Sequence, residues 1–334
     1  MTASLSVVTG ATGHLGTALV RMLCDAGPHV RYIARPGSAS RGLADTGAQR
    51  SESELHDVER LAEAMSGASV VYHAAGLISL VASDRDQLHR VNVEGTQTVL
   101  TAAVRAGVPR FVHVGSVEAF PLAGGRSPIT EDHGVDPTHT ILEYGRTKAL
   151  GILHVLSAPT GETEVVVCCP SGLIGPPDYR GSEAGRVIVD FLNRRLPAYV
   201  NGGFDFVDVR DAAAGLIAAS RRGRAGSIYL LAGSYVSIPQ MMELLEQESG
   251  VPKPRVCLPV GLALPVAPVA EAIARLRGRR PWFTRGSLRI VSLGVQLDSS
   301  RARDELGYTT RPIRETIADA VAWYRDHDLT VAAG

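Results

Sequence analysis

The chain has 334 residues, of which 45% are hydrophobic and 20% charged, proportions typical of a globular protein with a substantial core. Its 34 lysines and arginines balance its 34 aspartates and glutamates, and the scattered arginines argue against a nucleic-acid-binding face. The opening residues follow a strand pattern rather than that of a secretion signal, so we expect a cytoplasmic protein.

Short apolar runs alternate with longer helical patterns through the first half of the chain. Strand patterns cover residues 4–10, 29–35, 68–75, 110–116 and 163–170, and helix patterns cover 15–27, 58–67, 88–107 and 144–157. This alternation predicts an α/β fold, a Rossmann-type doubly wound parallel sheet with helices on both faces. The residues between Ser38 and Leu55 are too polar for a central strand, so we expect them at or near the sheet edge. Three of the helix patterns end at a glycine, which predicts left-handed caps at Gly27, Gly67 and Gly107.

After Pro170 the composition changes to glycine- and proline-rich turns between short helices and strands. We therefore predict a dinucleotide-binding domain over residues 1–170, its sheet completed by part of 199–235, and a mainly substrate-binding lobe over 171–334. The apolar segment that starts at Leu258 contains three prolines and is too short to cross a bilayer. We expect a helix that lines a pocket or the core, in preference to one that touches a membrane surface.

The four cysteines are Cys24, Cys168, Cys169 and Cys257, and none lies in a CxxC pair or at zinc-ligand spacing. We expect four buried thiols in a reducing compartment and no metal site. Cys168 and Cys169 are adjacent in a strand pattern, so their side chains should point to opposite faces of the sheet.

A glycine-rich turn directly follows the first strand pattern and opens a helix pattern. Gly10 permits the tight turn, Gly13 lets backbone N–H groups approach a pyrophosphate, and Gly16 permits close packing of helix on sheet. We therefore predict dinucleotide binding by the residues of this turn, Gly10, Thr12, Gly13, His14, Leu15 and Gly16.

Arg35 ends the second strand pattern, at the place where an acidic residue would bind the ribose 2′-hydroxyl of NAD. An arginine offers a charged fork to the 2′-phosphate of NADP instead. The sequence therefore favours NADP(H), with NAD(H) left open and an exposed, uninvolved arginine as the alternative interpretation.

Tyr144 and Lys148 have the spacing that places two side chains on one helix face, one turn apart. A nearby ammonium should lower the pKa of a tyrosine and make it an acid or base closer to neutral pH. The pair follows both the glycine-rich turn and a strand that ends at Ser116, which makes the pattern more specific than YxxxK alone.

Together these motifs make the chain resemble an extended short-chain dehydrogenase/reductase, closest to the branch of dihydroflavonol 4-reductases, cinnamoyl-CoA reductases and 3β-hydroxysteroid dehydrogenases. The resemblance covers nearly the whole chain and rests on TGATGHLG, HAAG, VNVEGT, RFVHVGSVEAF, YGRTK, PSGLIGPPD, FVDVRDAA and LDSSRARDELGY.

The resemblance implies a role for each matching residue. Tyr144 would donate the proton in ketone reduction, Lys148 would hold the nicotinamide ribose, and Ser116 would hydrogen-bond the substrate oxygen. Asn92 would orient the active-site backbone or a water. Further cofactor contacts are implied at Ala74, Ala75, Gly76, Pro170, Ser171, Gly172 and Leu173.

The chain departs from the family pattern at three places. Gly115 stands where many relatives have a second serine, so Ser116 alone must supply the hydroxyl. Glu54 and Leu55 replace the usual Asp-Leu/Val pair, which makes their adenine contact less certain. His14 occupies a position that is often aromatic, and we interpret it as a surface or adenosine-proximal residue.

Three functions remain compatible with the sequence. The favoured one is a reductase or reversible dehydrogenase acting on a ketone or secondary alcohol of a fairly apolar small molecule, aromatic, polyketide-like or steroid-like. A nucleotide-sugar epimerase or dehydratase is the alternative. Cys169 argues against it, because those enzymes typically have an asparagine at this position. Glu118 argues for it, because dehydratases use an acidic residue near the serine. A regulatory protein that binds NADP without turnover is disfavoured, because such relatives typically lose Tyr144 or Lys148.

The substrate is not evident from the sequence. Several aromatic residues would suit either pocket walls or the core: Phe120, Tyr179, Phe191, Phe204, Trp282 and Phe283. Dimerisation through two surface helices is common in similar enzymes, so a homodimer is a further expectation.

Overall fold

The computed structural model describes residues 4–27, 29–79, 84–122, 128–276 and 284–327. Its strands, in chain order, are β1 (Leu5–Thr9), β2 (Val30–Ala34), β3 (Gln49–Glu52), β4 (Ala68–His73), β5 (Arg110–Val114), β6 (Glu164–Pro170), β7 (Gly172–Ile174), β8 (Tyr199–Val200), β9 (Gly203–Asp208), β10 (Ile228–Leu231), β11 (Ser234–Ser237) and β12 (Cys257–Leu258).

Its α-helices are α1 (His14–Ala26), α2 (Val58–Met65), α3 (Arg85–His89), α4 (Gly95–Arg105), α5 (Glu143–Ser157), α6 (Glu183–Leu192), α7 (Val209–Arg222), α8 (Ile238–Ser249), α9 (Val260–Leu276), α10 (Arg285–Leu293) and α11 (Ile313–Asp326).

Seven strands form one parallel sheet in the order β10-β6-β5-β4-β1-β2-β3. The predicted Rossmann-type doubly wound sheet is therefore confirmed. Alternate strand residues face two hydrophobic clusters, one against α1 and α7 and the other against α2, α4 and α5. Cys168 lies in the first cluster and Cys169 in the second, as expected for neighbours in a strand. Since all strands run in parallel, their carboxyl ends meet along one edge of the sheet.

The polar stretch after Ser38 forms β3, which pairs only with β2 and is the outermost strand on that side. Its four residues are exposed or half-buried, which explains why the strand lacks an apolar pattern. The predicted edge position is confirmed. At the other edge, β10 lies within the predicted range 199–235 and pairs with β6. The domain boundary after residue 170 stays a prediction.

A second group of elements follows β6. A three-stranded sheet has the order β11-β9-β7, and β8 pairs with β12. A separate hydrophobic cluster joins α6, α8 and α11. In α9, Val260 and Ala263 are buried while Leu262 and Val266 are 67% and 58% exposed, so one face of this helix packs on the protein. None of the helices in the described ranges has the length and apolar character that a bilayer crossing requires.

Two local predictions were wrong. Gly67 and Gly107 have the expected positive φ, but Gly27 is extended, with φ of 174°, because the chain turns directly into β2 at Val30. Cys257 is exposed and Cys24 half-buried, whereas only Cys168 and Cys169 are buried thiols. Cys257 lies in the short ribbon of β8 and β12, which is too small to cover both of its faces.

Candidate active site

The glycine-rich turn between β1 and α1 has contacts that only glycine permits. Gly10 has a φ of +70°, and a Cβ there would lie 2.4 Å from the backbone nitrogen of Ala75. A Cβ on Gly16 would lie 2.2 Å from the carbonyl oxygen of Gly10. The turn therefore packs closely against Ala74 and Ala75, which follow β4, and leaves a surface lined by backbone.

The amino terminus of α1 points to an anion site. Gly13 is its N-cap and offers no side-chain cap, and no acidic residue lies in the first turn. Backbone N–H groups at a helix start have no partner within the helix, and the helix dipole there favours negative charge. Thr12 and Leu15 flank this terminus. The turn and the uncapped helix fit the pyrophosphate of a dinucleotide.

His14 is the first residue of α1, and its Nε2 donates a hydrogen bond to the carbonyl oxygen of Gly175 over 2.7 Å. The side chain is half-buried, and its Nδ1 has no partner in the described chain. His14 therefore links the glycine-rich turn to the segment after β7, a structural contact that the sequence did not indicate.

Arg35 lies just beyond β2 at the carboxyl edge of the sheet and is exposed, and its guanidinium has no partner among the described residues. Arg50 in β3 is a second cation nearby: it donates to the carbonyl of Ser38 and the hydroxyl of Ser40. Glu52 pairs with Arg50 at 2.8 Å and offsets its charge. Sequence reasoning missed Arg50, although a basic residue in the strand next to β2 was a usable signal.

The residues expected near adenine lie between β3 and α2. Leu55 is half-buried and its Cδ1 lies 3.4 Å from the Cβ position of Gly95 at the start of α4, while Glu54 is exposed. Leu55 is therefore placed to form an apolar wall, and Glu54 is not enclosed.

Ser116, Tyr144 and Lys148 lie together at the carboxyl end of β5. Ser116 follows the strand and caps a short 3-10 turn, Val117–Ala119, while Tyr144 and Lys148 are one turn apart in α5. All three side chains are buried, and the Lys148 Nζ donates to the carbonyl oxygen of Val114 over 2.5 Å. The Lys148 Nζ also lies 3.6 Å from the Cβ position of Gly76, so the segment after β4 meets the same site.

The pKa of Tyr144 differs from the sequence expectation. Burial raises the pKa of the phenol well above its ordinary value, and the charge of Glu118 raises it further, while the Ser116 hydroxyl opposes both. The sequence predicts a lower pKa through Lys148; that prediction is wrong, because burial dominates and Lys148 is bonded to Val114. Burial lowers the pKa of Lys148 to about 8. At neutral pH the phenol keeps its proton.

Asn92 occupies a π-helical turn, Arg90–Glu94, between α3 and α4. Its Nδ2 donates to the carbonyl oxygen of Leu77 at 3.0 Å and to the Thr147 hydroxyl at 3.1 Å, and the Leu77 N–H donates to its Oδ1 at 2.8 Å. The Thr147 hydroxyl donates in turn to the carbonyl of Tyr144. Asn92 therefore holds the backbone after Gly76 against the helix that carries the tyrosine.

A buried chain of hydrogen bonds extends from Asn92 to the end of β1. The Thr96 hydroxyl donates to the Asn92 carbonyl at 2.8 Å and is 3.1 Å from Nε2 of His73. Nδ1 of His73 is 2.8 Å from the Thr9 hydroxyl. Because Thr96 has donated its proton, the pattern assigns the His73 proton to Nε2. Sequence reasoning missed His73, Thr96 and Thr9, whose partners lie far apart in the chain.

The segment Pro170–Leu173 passes from β6 into β7 at the same edge of the sheet. Ser171 N–H donates to the carbonyl of Leu231, and the Cβ position of Gly172 is 3.1 Å from Phe204 and 3.0 Å from Phe206. Of the other aromatic candidates, Phe120 and Phe191 are core residues, Tyr179 packs edge-on against Trp323 with 38% exposure, and Trp282 and Phe283 lie outside the described residues.

The sequence profile of a known family, "NAD dependent epimerase/dehydratase family", matches residues 6–232. The chain belongs to this family. Its membership confirms the resemblance to extended short-chain dehydrogenases/reductases and identifies an NAD(P)-dependent oxidoreductase acting on CH–OH groups.

Several known proteins are similar to this chain over nearly its full length. "Sterol demethylase protein B" of Methylococcus capsulatus is 36% identical over 326 residues, covering 97% of this chain and 99% of its own. "Putative dihydroflavonol 4-reductase" of Synechocystis sp. is 33% identical over 324 residues, covering 96% and 94%. The crystal structure of gox2253 has a TM-score of 0.83 at 33% identity and covers 97% and 99%.

This epimerase/dehydratase family member departs from the usual pattern at Gly115 and at Cys169, and the two residues are in contact. A Cβ on Gly115 would lie 2.5 Å from Sγ of Cys169 and 2.8 Å from Cδ1 of Ile152. Gly115 therefore has no room for the second serine of many relatives, because Cys169 fills the space. Burial raises the pKa of the Cys169 thiol to about 12, so it is neutral and apolar in character.

Proposed function

We propose that this protein is an NADP(H)-dependent reductase, reversible as a dehydrogenase, which acts on a ketone or secondary alcohol of a largely apolar small molecule. The observation that carries the proposal is the grouping of Ser116, Tyr144 and Lys148 beside the glycine-rich turn. We further propose that the enzyme works in the cytoplasm, which is supported by its four free thiols.

The site residues supply the positioning and the proton. The bound cofactor would supply a hydride to the carbonyl carbon. Ser116 Oγ accepts a hydrogen bond from the Glu118 N–H at 3.2 Å, so its own proton is available to donate to the carbonyl oxygen. Tyr144 holds the same oxygen and transfers its phenolic proton as negative charge develops there. A raised pKa suits this direction, because a phenol that stays protonated is ready to donate.

The substrate class is supported by the surroundings and by relatives. Phe204 and Phe206 lie beside Gly172, in the segment next to the proposed nicotinamide position. The names of two similar proteins refer to a sterol and to a dihydroflavonol. A nucleotide sugar is the second candidate, since the family includes epimerases and dehydratases. The neutral thiol of Cys169, where such enzymes usually have asparagine, weighs against it.

Oxidation of NADPH with aromatic ketones, steroid ketones and aldehydes tests the proposal. Conversion of UDP-glucose is followed separately by chromatography of the sugar product, because epimerisation and dehydration return the hydride and leave the cofactor unchanged. Turnover of a ketone is expected, and Tyr144→Phe should reduce it about 100-fold or more while NADPH affinity changes little, because the lost hydroxyl contributes mainly to proton transfer. A fully active Tyr144→Phe enzyme, or turnover of UDP-glucose alone, would contradict it.

We also propose that Arg35 selects NADP(H) by binding the 2′-phosphate. Its exposure at the end of β2 and its lack of a protein partner support this role. Arg35→Asp should shift the ratio of kcat/KM for NADPH over NADH towards NADH by about tenfold or more, because a charged hydrogen bond is replaced by repulsion. Arg41→Asp, in the 3-10 turn after Ser40, is the control of equal charge change. An unchanged ratio in Arg35→Asp would make Arg35 a simple surface residue.

A further inference from the structure

Glu118 is a carboxylate beside the active-site tyrosine that has no partner of its own. It is half-buried in the 3-10 turn after Ser116. Within the described residues its carboxyl group makes no hydrogen bond or ion pair; burial alone raises its pKa, to about 7, and nothing offsets it. Two other shielded carboxylates have donors: Asp208 accepts hydrogen bonds from Arg210, and Glu131 accepts one from the Leu230 N–H.

The position of Glu118 is fixed by the same contacts that build the site. Its N–H donates to Ser116 Oγ at 3.2 Å, which ties the two residues into one turn. A Cβ on Gly145 would lie 2.3 Å from the carbonyl oxygen of Glu118, so this turn packs directly on the start of α5 beside Tyr144. The carboxylate is near enough for its charge to raise the pKa of Tyr144.

An unpartnered carboxylate in this place constrains the ligand. A substrate held by Ser116 and Tyr144 displaces water from the turn, and a purely apolar ketone would leave Glu118 without any donor. Burying a charged acceptor without a partner is costly, whereas a hydrogen bond to a charged group stabilises it. With a pKa of about 7 the carboxyl group is partly charged near neutral pH, and a hydrogen-bond donor on the substrate would stabilise that charged form.

We propose that Glu118 is a specificity-determining residue that accepts a hydrogen bond from a hydroxyl group on a carbon close to the reacting carbonyl. The inference rests on the proposed reductase function and narrows it: the substrate class is a hydroxyketone, or the corresponding diol in the reverse direction, on an otherwise apolar skeleton. A plain ketone of the same shape is the disfavoured substrate.

Three aromatic ketones of matched skeleton test this selectivity: benzoin, which has the neighbouring hydroxyl; deoxybenzoin, which lacks it; and benzoin methyl ether, which cannot donate. We expect the wild type to favour benzoin over both others by about tenfold or more in kcat/KM with NADPH, the size of one charged hydrogen bond. Acetoin, butanone and methoxybutanone form a smaller trio for the same comparison.

Glu118→Leu should reverse the preference, with benzoin turnover falling and deoxybenzoin turnover rising, because the stranded carboxylate is gone. Glu118→Gln keeps an oxygen acceptor and should lie between the two. If Glu118 had only a structural role, its replacement would lower kcat/KM for all three ketones together and leave the ratios between them unchanged. Glu143→Leu removes a neighbouring carboxylate that is paired with Arg146, and should leave the ratios as in the wild type.

The outcomes separate this inference from the function on which it rests. Equal use of benzoin and deoxybenzoin by the wild type, unchanged ratios in Glu118→Leu, or turnover of other ketones but of neither trio would overturn the role of Glu118. Failure of every carbonyl compound to oxidise NADPH would instead overturn the reductase proposal. Thermal unfolding of Glu118→Leu separates a folding defect from altered selectivity, and the Gln variant repeats the ratio measurement if the Leu variant does not fold.

Discussion

His73 and His113 lie side by side in adjacent strands below the active site, and their surroundings differ. Their rings stack with centroids 5.4 Å apart. His73 is bonded through both nitrogens, to Thr9 and Thr96, whereas neither ring nitrogen of His113 has a partner in the described chain. Burial lowers the pKa of both, that of His73 to about 3. Both imidazoles are therefore neutral in the folded protein.

The linkage of His113 to acid stability follows from the direction of its pKa. With its folded pKa depressed, His113 binds fewer protons in the folded than in the unfolded state below about pH 6.5, so stability is lost as pH falls through that range. His113→Leu removes this loss and an unsatisfied polar group. Between about pH 7.5 and about pH 5, its stability relative to the wild type should improve by about 2 kcal/mol, measured by urea unfolding.

His73→Leu should affect stability in the opposite direction at about pH 7.5. His73→Leu removes a similar pH penalty but leaves Thr9 and Thr96 without their buried partner, so it should be less stable than the wild type at about pH 7.5. A His113→Leu protein with the same pH profile as the wild type would show that the ring is accessible to water.

At the scale of elements, the apolar strand runs and the caps at Gly67 and Gly107 were readable because they depend on neighbouring residues. The pattern over 88–107 predicts one helix, but the structure divides it into α3, a π-helical turn and α4. The π-helical turn packs closely against α5, where a Cβ on Gly151 would lie 2.7 Å from the Asn92 carbonyl oxygen. A periodic pattern does not contain this contact.

The same limit applies to the site. The glycine-rich turn, Tyr144 and Lys148 were found because each motif is local and its spacing has a physical meaning. The raised pKa of Tyr144 and the solitary Glu118 carboxylate depend on burial and on the packing of the turn after β5 against Gly145 of α5. Neither can be derived from the spacing of residues within one segment, and the sequence estimate of the tyrosine pKa had the wrong sign for this reason.

Across the whole molecule, an ion-pair network joins the chain before α11 to the start of α7. The Arg311 guanidinium donates to Asp211 at 2.8 Å and lies 3.6 Å from Asp208, while Arg210 bridges Asp208 to Asp319 of α11. Asp208 is fully buried and caps α7. The network therefore fixes α11 to the end of β9 and the start of α7.

Removal of Arg311 tests how much this connection contributes. Arg311→Ala leaves Asp211 with a buried charge, and we expect a loss of about 2 kcal/mol of unfolding free energy, below the full value for a buried pair because the guanidinium is 24% exposed. Arg314→Ala breaks the pair with Glu248 from a guanidinium that is 58% exposed and should cost about 0.5 kcal/mol. If urea unfolding shows the same loss of unfolding free energy for Arg311→Ala and Arg314→Ala, the network contributes no more to stability than an exposed ion pair.

The exposed Cys257 has a practical consequence. Cys168 and Cys169 are buried, and Cys24 is half-buried with a pKa raised by burial, so thiol reagents will react first at one place in the folded protein. A maleimide dye or surface tether will attach at β12, immediately before α9. Cys257 therefore offers one site for selective labelling. In preparations kept in air without a reductant, we expect disulfide-linked dimers to form through this thiol.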